Sequence, residues 1–256
     1  MISLFQSRDL LREWTSRNIS ARYQQSVLGW FWAIIQPTAQ VAIYTIVFTV
    51  IVRIDTENIP YVIFSYVAMV PWTLLATSLT DMSNSLVDNM TLVNKIYFPR
   101  EILPVAALLA RLMDFAVAAL LVVVLMIVYQ IQVFPLGLLF VPVILAIQLV
   151  LMLGIGLATA AANVFVRDIR SLMLLGLQLW FYASPIIYPA TAVPEYLRPY
   201  YYLNPMNGII EAYRDVLLRS QLPGSYLLPS VVISVVIFVI GYWFFKRVEF
   251  QFADIV

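Results

Sequence analysis

Long, mostly apolar stretches alternate with short polar breaks along almost the whole chain. Six of these stretches reach the length a helix needs to cross a hydrocarbon layer, about 20 residues. They lie at 31–52, 61–80, 104–130, 136–162, 172–188 and 227–245. Their apolar residues run continuously instead of alternating one in, one out, which excludes the strand pattern of a membrane β-barrel. The pattern predicts an all-α integral membrane protein, a single transmembrane domain over 1–256 with six spanning helices.

The breaks between the spans carry as much information as the spans. Residues 3–23 place Leu4, Leu10, Leu11 and Trp14 to one side and Arg12, Glu13 and Arg17 mostly elsewhere, which predicts an amphipathic helix lying on the inner leaflet. The connection 82–103 is long and polar and leads into the stretch NKIYFPREILP, with Asn94, Lys95, Arg100 and Glu101 set between Pro99 and Pro104 breaks. The connection 189–226 is neither a simple loop nor a span. It holds Tyr196 and Tyr200–Tyr202, then Asn204 as a helix cap ahead of Pro205 at the first helical position. Met206, Ile209, Ile210, Tyr213 and Leu217 recur at helical spacing opposite Glu211 and Asp215. That spacing predicts a short amphipathic helix dipping into the outer leaflet. Pro185 and Pro189 are expected to break the fifth span near the outer surface.

Composition supports the membrane reading. The chain is 62% hydrophobic and 11% charged with a mean hydropathy of +0.90, whereas soluble domains are about one-quarter charged. The net charge is only +1, but its placement orients the chain. Arg8, Arg12, Arg17, Arg22, Lys95, Arg100, Arg111, Arg167, Arg170, Lys246 and Arg247 fall on the N-terminal side of the membrane. Only Arg53, Arg198, Arg214 and Arg219 fall on the other, so both termini are expected in the cytoplasm. The first residues lack the apolar core of a cleavable signal, which leaves targeting to the first span.

The candidate chemistry is sparse. Histidine and cysteine are absent from the sequence, which removes imidazole proton relays, thiol chemistry and the commonest metal ligands. Arg111 and Asp114 lie inside the third span, three apart on one face. They read either as a mutually neutralising structural pair or as part of an ion pathway. No phosphate-binding GxxxxGK loop occurs, so any ATP energy has to arrive through a partner on the cytoplasmic side. Segment 94–104 offers a surface for it, with Tyr97 and Phe98 at the membrane surface, and Arg167, Asp168 and Arg170 after span four offer another. Both also read as ordinary positive-inside loops. Trp180, Phe181 and Tyr182 sit in mid-span, where aromatic faces can line a path for sugars or simply pack a core. Gly154, Ala158 and Ala162, and Gly156 with Ala160, form stripes of small residues that permit close helix approach.

Four stretches in this order around six spans resemble the membrane subunits of type 2 ABC exporters, in the branch that moves polysaccharides. They are SARYQQSVLGWFWAIIQP, NKIYFPREILP, NVFVRDI, and YASPIIYP followed by YYYLNPMNGIIEAYRDVLL. The resemblance covers nearly the whole chain and points to O-antigen export, with capsule and teichoic acid exporters as near relatives. It implies that the segment around Leu92–Glu101 is a coupling helix docking on an ATPase subunit through Asn94, Lys95, Tyr97, Phe98, Arg100 and Glu101, with Arg167 and Asp168 beside it. It implies a conduit and outer gate formed by Trp32, Tyr44, Trp180, Phe181, Tyr182, Ser184, Tyr188, Tyr201 and Asn204, with re-entrant outer helices between spans five and six. It further implies a homodimer in a bacterial inner membrane, joined by two nucleotide-binding ATPase subunits. The substrate is a lipid-linked glycan and the setting is membrane lipid, with no nucleic acid. No cofactor or metal is expected in this chain, ATP and Mg belonging to the partner subunit, and no residue in it is expected to be catalytic. Three other readings stay open: a type 2 exporter of lipids or drugs, an ion-coupled secondary transporter, and a scaffold protein that transports nothing.

Overall fold

A computed structural model describes residues 7–24, 26–56, 58–95 and 98–254. Among these residues the chain is helical, without strands. Helix α1 (Arg8–Tyr23) leads through a turn at Gly29 into α2 (Trp32–Thr45), which continues as a π-helical turn to Ile51. Gly29 takes φ +46° in open surroundings, a backbone conformation that side chains resist, and it redirects the chain from α1 into the first span. Next come α3 (Tyr61–Ser85), the short α4 (Met90–Lys95), α5 (Ile102–Val128) and a one-turn α6 (Pro135–Leu138). Then follow α7 (Val141–Phe165), α8 (Ile169–Tyr182), the one-turn α9 (Arg198–Tyr201), α10 (Pro205–Leu217) and α11 (Leu227–Val248).

Among the described residues five stretches are long and apolar enough to cross a membrane: Gly29–Ile51, Tyr61–Lys95, Ile102–Val128, Pro135–Phe165 and Leu227–Phe252. They match the first four and the last of the six apolar runs. The remaining run, 172–188, differs from expectation. Its helix α8 has 14 residues and rises roughly 21 Å, short of a hydrocarbon layer about 30 Å thick. Turns carry the chain onward from Ala183, past Pro185, to Tyr188.

Helix α3 is the axis of the fold. Of its most apolar window 78% is buried, against 11–28% for the other four stretches, because α2, α5, α7, α8 and α10 all pack on it. Its Pro71 interrupts the helical ladder, and the buried Gln148 amide on α7 donates to the Pro71 carbonyl at 2.7 Å. The outer helices turn Leu120, Val124 and Ile127 of α5 and Val232, Val236 and Val239 of α11 outward, as helices bathed in lipid do.

The small-residue stripe works on two faces. A Cβ added at Gly241 on α11 would stand 2.1 Å from the Gly154 carbonyl oxygen on α7, and one added at Gly156 would stand 2.3 Å from Met82 Cε on α3. Backbone touches backbone at the first point and a flexible side chain at the second. Gly241→Ala is therefore expected to cost about 1–3 kcal/mol through forced separation of α7 and α11, and Gly156→Ala less, because Met82 can turn away. Thermal unfolding of the purified variants in detergent checks the order.

The N-terminal helix docks on the bundle through Trp14. Trp14 is buried in a second core at one end of the bundle, with Leu86, Val93, Ile102, Phe245 and Phe252. Leu4 lies outside the described residues. The expected amphipathic helix of 189–226 forms as α10 with the expected cap, Asn204 Oδ1 accepting from the Met206 N–H at 3.1 Å. Its polar side is not solvated, however: Glu211, Arg214 and Asp215 are buried along with Met206 and Ile210.

Candidate coupling surface and conduit

At the end of the bundle that carries α1, the connection between α3 and α5 forms the six-residue α4 and an extended turn at Phe98–Pro99. Asn94 and Lys95 close α4 and are exposed, and Phe98 and Arg100 are half-buried. Tyr97 lies outside the described residues. Arg167 and Asp168 are exposed just after α7. Glu101 differs from the sequence expectation of an outward-facing charge. It is fully buried and takes an ion pair from Lys246 at the end of α11. A carboxylate taken out of solvent requires such a partner, so Glu101 shapes the segment rather than its outer surface. Arg100 also turns inward, donating to the Glu249 carbonyl with its guanidinium 5.7 Å from the Phe252 ring centre. The C-terminal partners in these contacts were not singled out from the sequence, where more than a hundred residues separate them from Arg100.

Deeper in, Arg111 and Asp114 belong to a larger network than their spacing suggested. Arg111 donates to Asp81 at 2.7 and 3.1 Å and to Asp114 at 3.1 Å. Arg22 spans the same two carboxylates at 2.8 Å each, and the Tyr23 hydroxyl donates to Asp114. Two guanidiniums and two carboxylates thus join α1, α3 and α5 with no excess charge. Burial, with Asp114 beside it, pushes the Tyr23 phenol up to about 12, so it stays a neutral donor throughout the physiological range. The network forms one end of a cavity of about 370 Å³ whose walls include Trp32, Gln36, Thr73, Thr77 and Phe115.

The aromatic residues collect on the adjoining flank. Trp72 of α3 meets Trp180 and Phe181 of α8 edge-on at 5.9 and 5.6 Å, and Phe181 lies 6.0 Å from Tyr44 of α2. Trp180 and Phe181 are thus half-packed against the axis, while Trp32 and Tyr182 are exposed. The Trp180 indole donates to Asn204 Oδ1 at 2.7 Å, and the Asn204 amide donates to the Ser184 hydroxyl at 3.0 Å. Ser184 is buried, and its own hydroxyl donates back to the Trp180 carbonyl at 2.9 Å. Tyr188 donates to the Tyr182 carbonyl at 3.1 Å. One knot therefore gathers Trp180, Ser184 and Asn204 where α8 ends and α10 begins. Tyr201, half-buried, supplies its carbonyl to the Asn207 amide at 2.8 Å.

Beyond the knot, at the opposite end from α1, stands a second charged cluster. Arg214 is fully buried. It donates to Glu211 at 2.8 Å, to the Ile186 carbonyl at 3.1 Å and to the Phe64 carbonyl at 3.4 Å, and its guanidinium lies 3.6 Å from the Phe64 ring centre. Arg219 binds Glu211 and Asp215 at 2.8 Å each, and Tyr226 donates to Asp215. Burial opposes ionisation of Glu211, but Arg214 and Arg219 outweigh it and hold the carboxyl below its usual value. The stabilisation it supplies is complete above about 4.5, its ordinary value, and is lost as pH falls through the depressed value. The melting temperature in detergent is expected to hold from neutral pH down to about 4.5 and to drop as pH falls from there toward the depressed value. Glu211→Gln is expected to reduce this acid sensitivity while lowering stability at neutral pH.

Residues 10–218 match the family described as "ABC-2 type transporter". The chain belongs to that family: it is the multi-pass transmembrane component of an ABC-2 transporter. Among curated proteins it is similar to the O-antigen export system permease protein RfbA of Myxococcus xanthus, 31% identical over 254 residues, which is 98% of this chain and 96% of the relative. It is also similar to the protein of that name from Klebsiella pneumoniae, 27% identical over 247 residues covering 96% and 95%. The polysialic acid transport protein KpsM of Escherichia coli is 22% identical over 206 residues, covering 79% and 78%.

Proposed function

We propose that this chain is the membrane subunit of an ATP-driven exporter that moves a lipid-linked, O-antigen-like polysaccharide across a bacterial inner membrane. The observation that carries this reading is the near-full-length similarity to permeases named for O-antigen export. The aromatic flank of Tyr44, Phe181 and Tyr182, beside the Trp180–Asn204–Ser184 knot, supports it. Ring faces bounded by hydroxyl and amide groups offer a repeating sugar chain many weak, interchangeable contacts. Two copies of the chain form the conduit, each lending the exposed faces of α2 and α8. The sixth crossing is completed by α8 together with the turns to Tyr188, and residues 189–226 form a re-entrant outer gate with Tyr201 and Asn204 at its edge. Both termini are cytoplasmic. Asn94, Lys95, Tyr97, Phe98, Arg167 and Asp168 meet the ATPase subunit, with Arg100 and Glu101 holding the segment from behind. ATP and Mg reside on that partner, and no covalent chemistry takes place in this chain.

Mild-detergent purification with mass spectrometry tests the reading. An ATPase subunit is expected in equal amount with this chain, and is expected to be lost when Asn94, Lys95 and Phe98 are replaced together by alanine. A homodimer that never retains a nucleotide-binding partner would overturn the reading. Because the sequence contains no cysteine, single cysteines report sidedness without background. Tyr200→Cys, at a strongly exposed position, is expected to react with a membrane-impermeant maleimide in spheroplasts. Lys95→Cys is expected to react only after lysis.

A further inference from the structure

The segment assigned to coupling is fastened chiefly to the C-terminal end of the chain. Behind Phe98–Glu101 lies the 3₁₀ turn Glu249–Asp254 that follows α11. Phe252 of this turn is fully buried, its ring 5.8 Å from Phe245 of α11 and 5.9 Å from Phe165 at the end of α7. Arg100 reaches over the same ring and donates to the Glu249 carbonyl. Lys246 pairs with the buried Glu101 and, at 3.0 Å, with Glu249. The same core also holds Val93 of α4 and Trp14 of α1. The proposed coupling segment, the start of α5 and the C-terminal turn therefore share one packed core and one ion-pair chain. Packed interiors transmit displacement rather than absorb it.

From this arrangement we infer that the C-terminal turn is a working part of the coupling element, with Lys246 and Phe252 as positioning residues that carry motion of segment Phe98–Glu101 into α11 and, through the Gly154–Gly241 contact, into α7. The inference rests on the coupling role proposed above for 94–101. α11 reaches the outer cluster at its other end, where Tyr226 holds Asp215. One rigid element thus links the inner docking surface to the outer charged cluster.

The test uses the complete complex of this chain with its ATPase subunit in proteoliposomes, reading subunit retention, ATP hydrolysis and glycan export side by side. Phe252→Ala and Lys246→Gln are expected to keep the ATPase bound and hydrolysing, while export per ATP falls roughly 2- to 30-fold, the range for residues in a coupling network. The reversed pair Glu101→Lys with Lys246→Glu is expected to recover a good part of the export that either single change loses. Phe252→Leu, which keeps apolar bulk, is expected to stay close to the parent, separating loss of transmission from loss of folding. Normal export per ATP in both Phe252→Ala and Lys246→Gln would overturn the inference, as would equal loss in single and reversed-pair variants that elute as intact complexes. The Asn94, Lys95 and Phe98 replacement separates the two claims. If that variant releases the ATPase while the C-terminal variants export normally, only the present inference fails. If it retains the ATPase and full export, the coupling assignment beneath the inference fails.

Discussion

Arg214→Met is expected to lower the stability of the purified protein by about 3–5 kcal/mol, the cost of removing one partner of a buried ion pair. The side chain is fully buried and donates to Glu211 and to the Ile186 and Phe64 carbonyls. Methionine fills most of the volume over the Phe64 ring but supplies no donor. Glu211 would then depend on Arg219 alone, and two carbonyls in the α3 and post-α8 backbone would lose a charged donor. Arg214→Lys is expected to fail nearly as badly, because an ammonium on a flexible stem cannot serve a carboxylate and two carbonyls in the planar fan that a guanidinium provides. The triple change Glu211→Gln, Arg214→Met and Asp215→Asn removes most of the charge set together and is expected to be milder than the sum of its parts. Thermal unfolding in detergent gives the stabilities. Equal stability of Arg214→Met and the parent would mean that water reaches the cluster and that its apparent burial is not what holds α10 in place.

The local pattern marks α10 correctly but not what surrounds it. Met206, Ile209 and Tyr213 at helical spacing locate the helix, and the Asn204–Pro205 cap locates its start. The period separates an apolar face from a polar one, yet it does not say what covers the polar face. Here the cover is Arg219 and Tyr226 from the following turn and carbonyls from residues 28 and 150 positions away. The same limit applies at the other end. Arg111 and Asp114 were legible because they are three apart on one helix, whereas Asp81 sits at the edge of its apolar run and Arg22 on a helix read as lying in the interface. Nothing local announces that the two would meet 59 residues apart. Local order fares better. Most of the spanning helices, α1, the cap and the small-residue stripes at Gly154 and Gly156 follow from composition and period, because each is decided within a few turns of chain. Span five is the exception: Pro185 and Pro189 mark its break, but the end of regular helix at Tyr182 follows from the Ser184–Asn204–Trp180 bonds, which are tertiary.

The inner network sets the remaining large effect, and its charge balance determines the sign. Arg111→Met leaves Asp81 and Asp114 sharing the single guanidinium of Arg22, with an uncompensated carboxylate at 17–27% side-chain exposure. Partial access to water softens the penalty, so a loss of about 2–3 kcal/mol is expected, toward the low end for broken ion pairs away from solvent. Asp114→Asn is expected to cost less, since the amide oxygen that replaces the carboxylate can still accept from Tyr23 and the surplus charge falls on guanidiniums that tolerate partial hydration. Combining the two leaves Arg22 and Asp81 as a neutral pair at 2.8 Å, so the double variant is expected to be more stable than Arg111→Met alone. Export by the double variant in proteoliposomes then separates two mechanisms. A carboxylate that relays protons or binds a coupling ion cannot be replaced by an amide without loss of transport, however well the fold survives. A structural lock that ties α1 to α3 and α5 can be, provided charge stays balanced. Retained, ATP-dependent export in the double variant is the outcome expected here. Export abolished in a protein of recovered stability would instead place an ion pathway through Asp81 and Asp114, with the cavity bounded by Gln36, Thr73 and Thr77 as its inner vestibule.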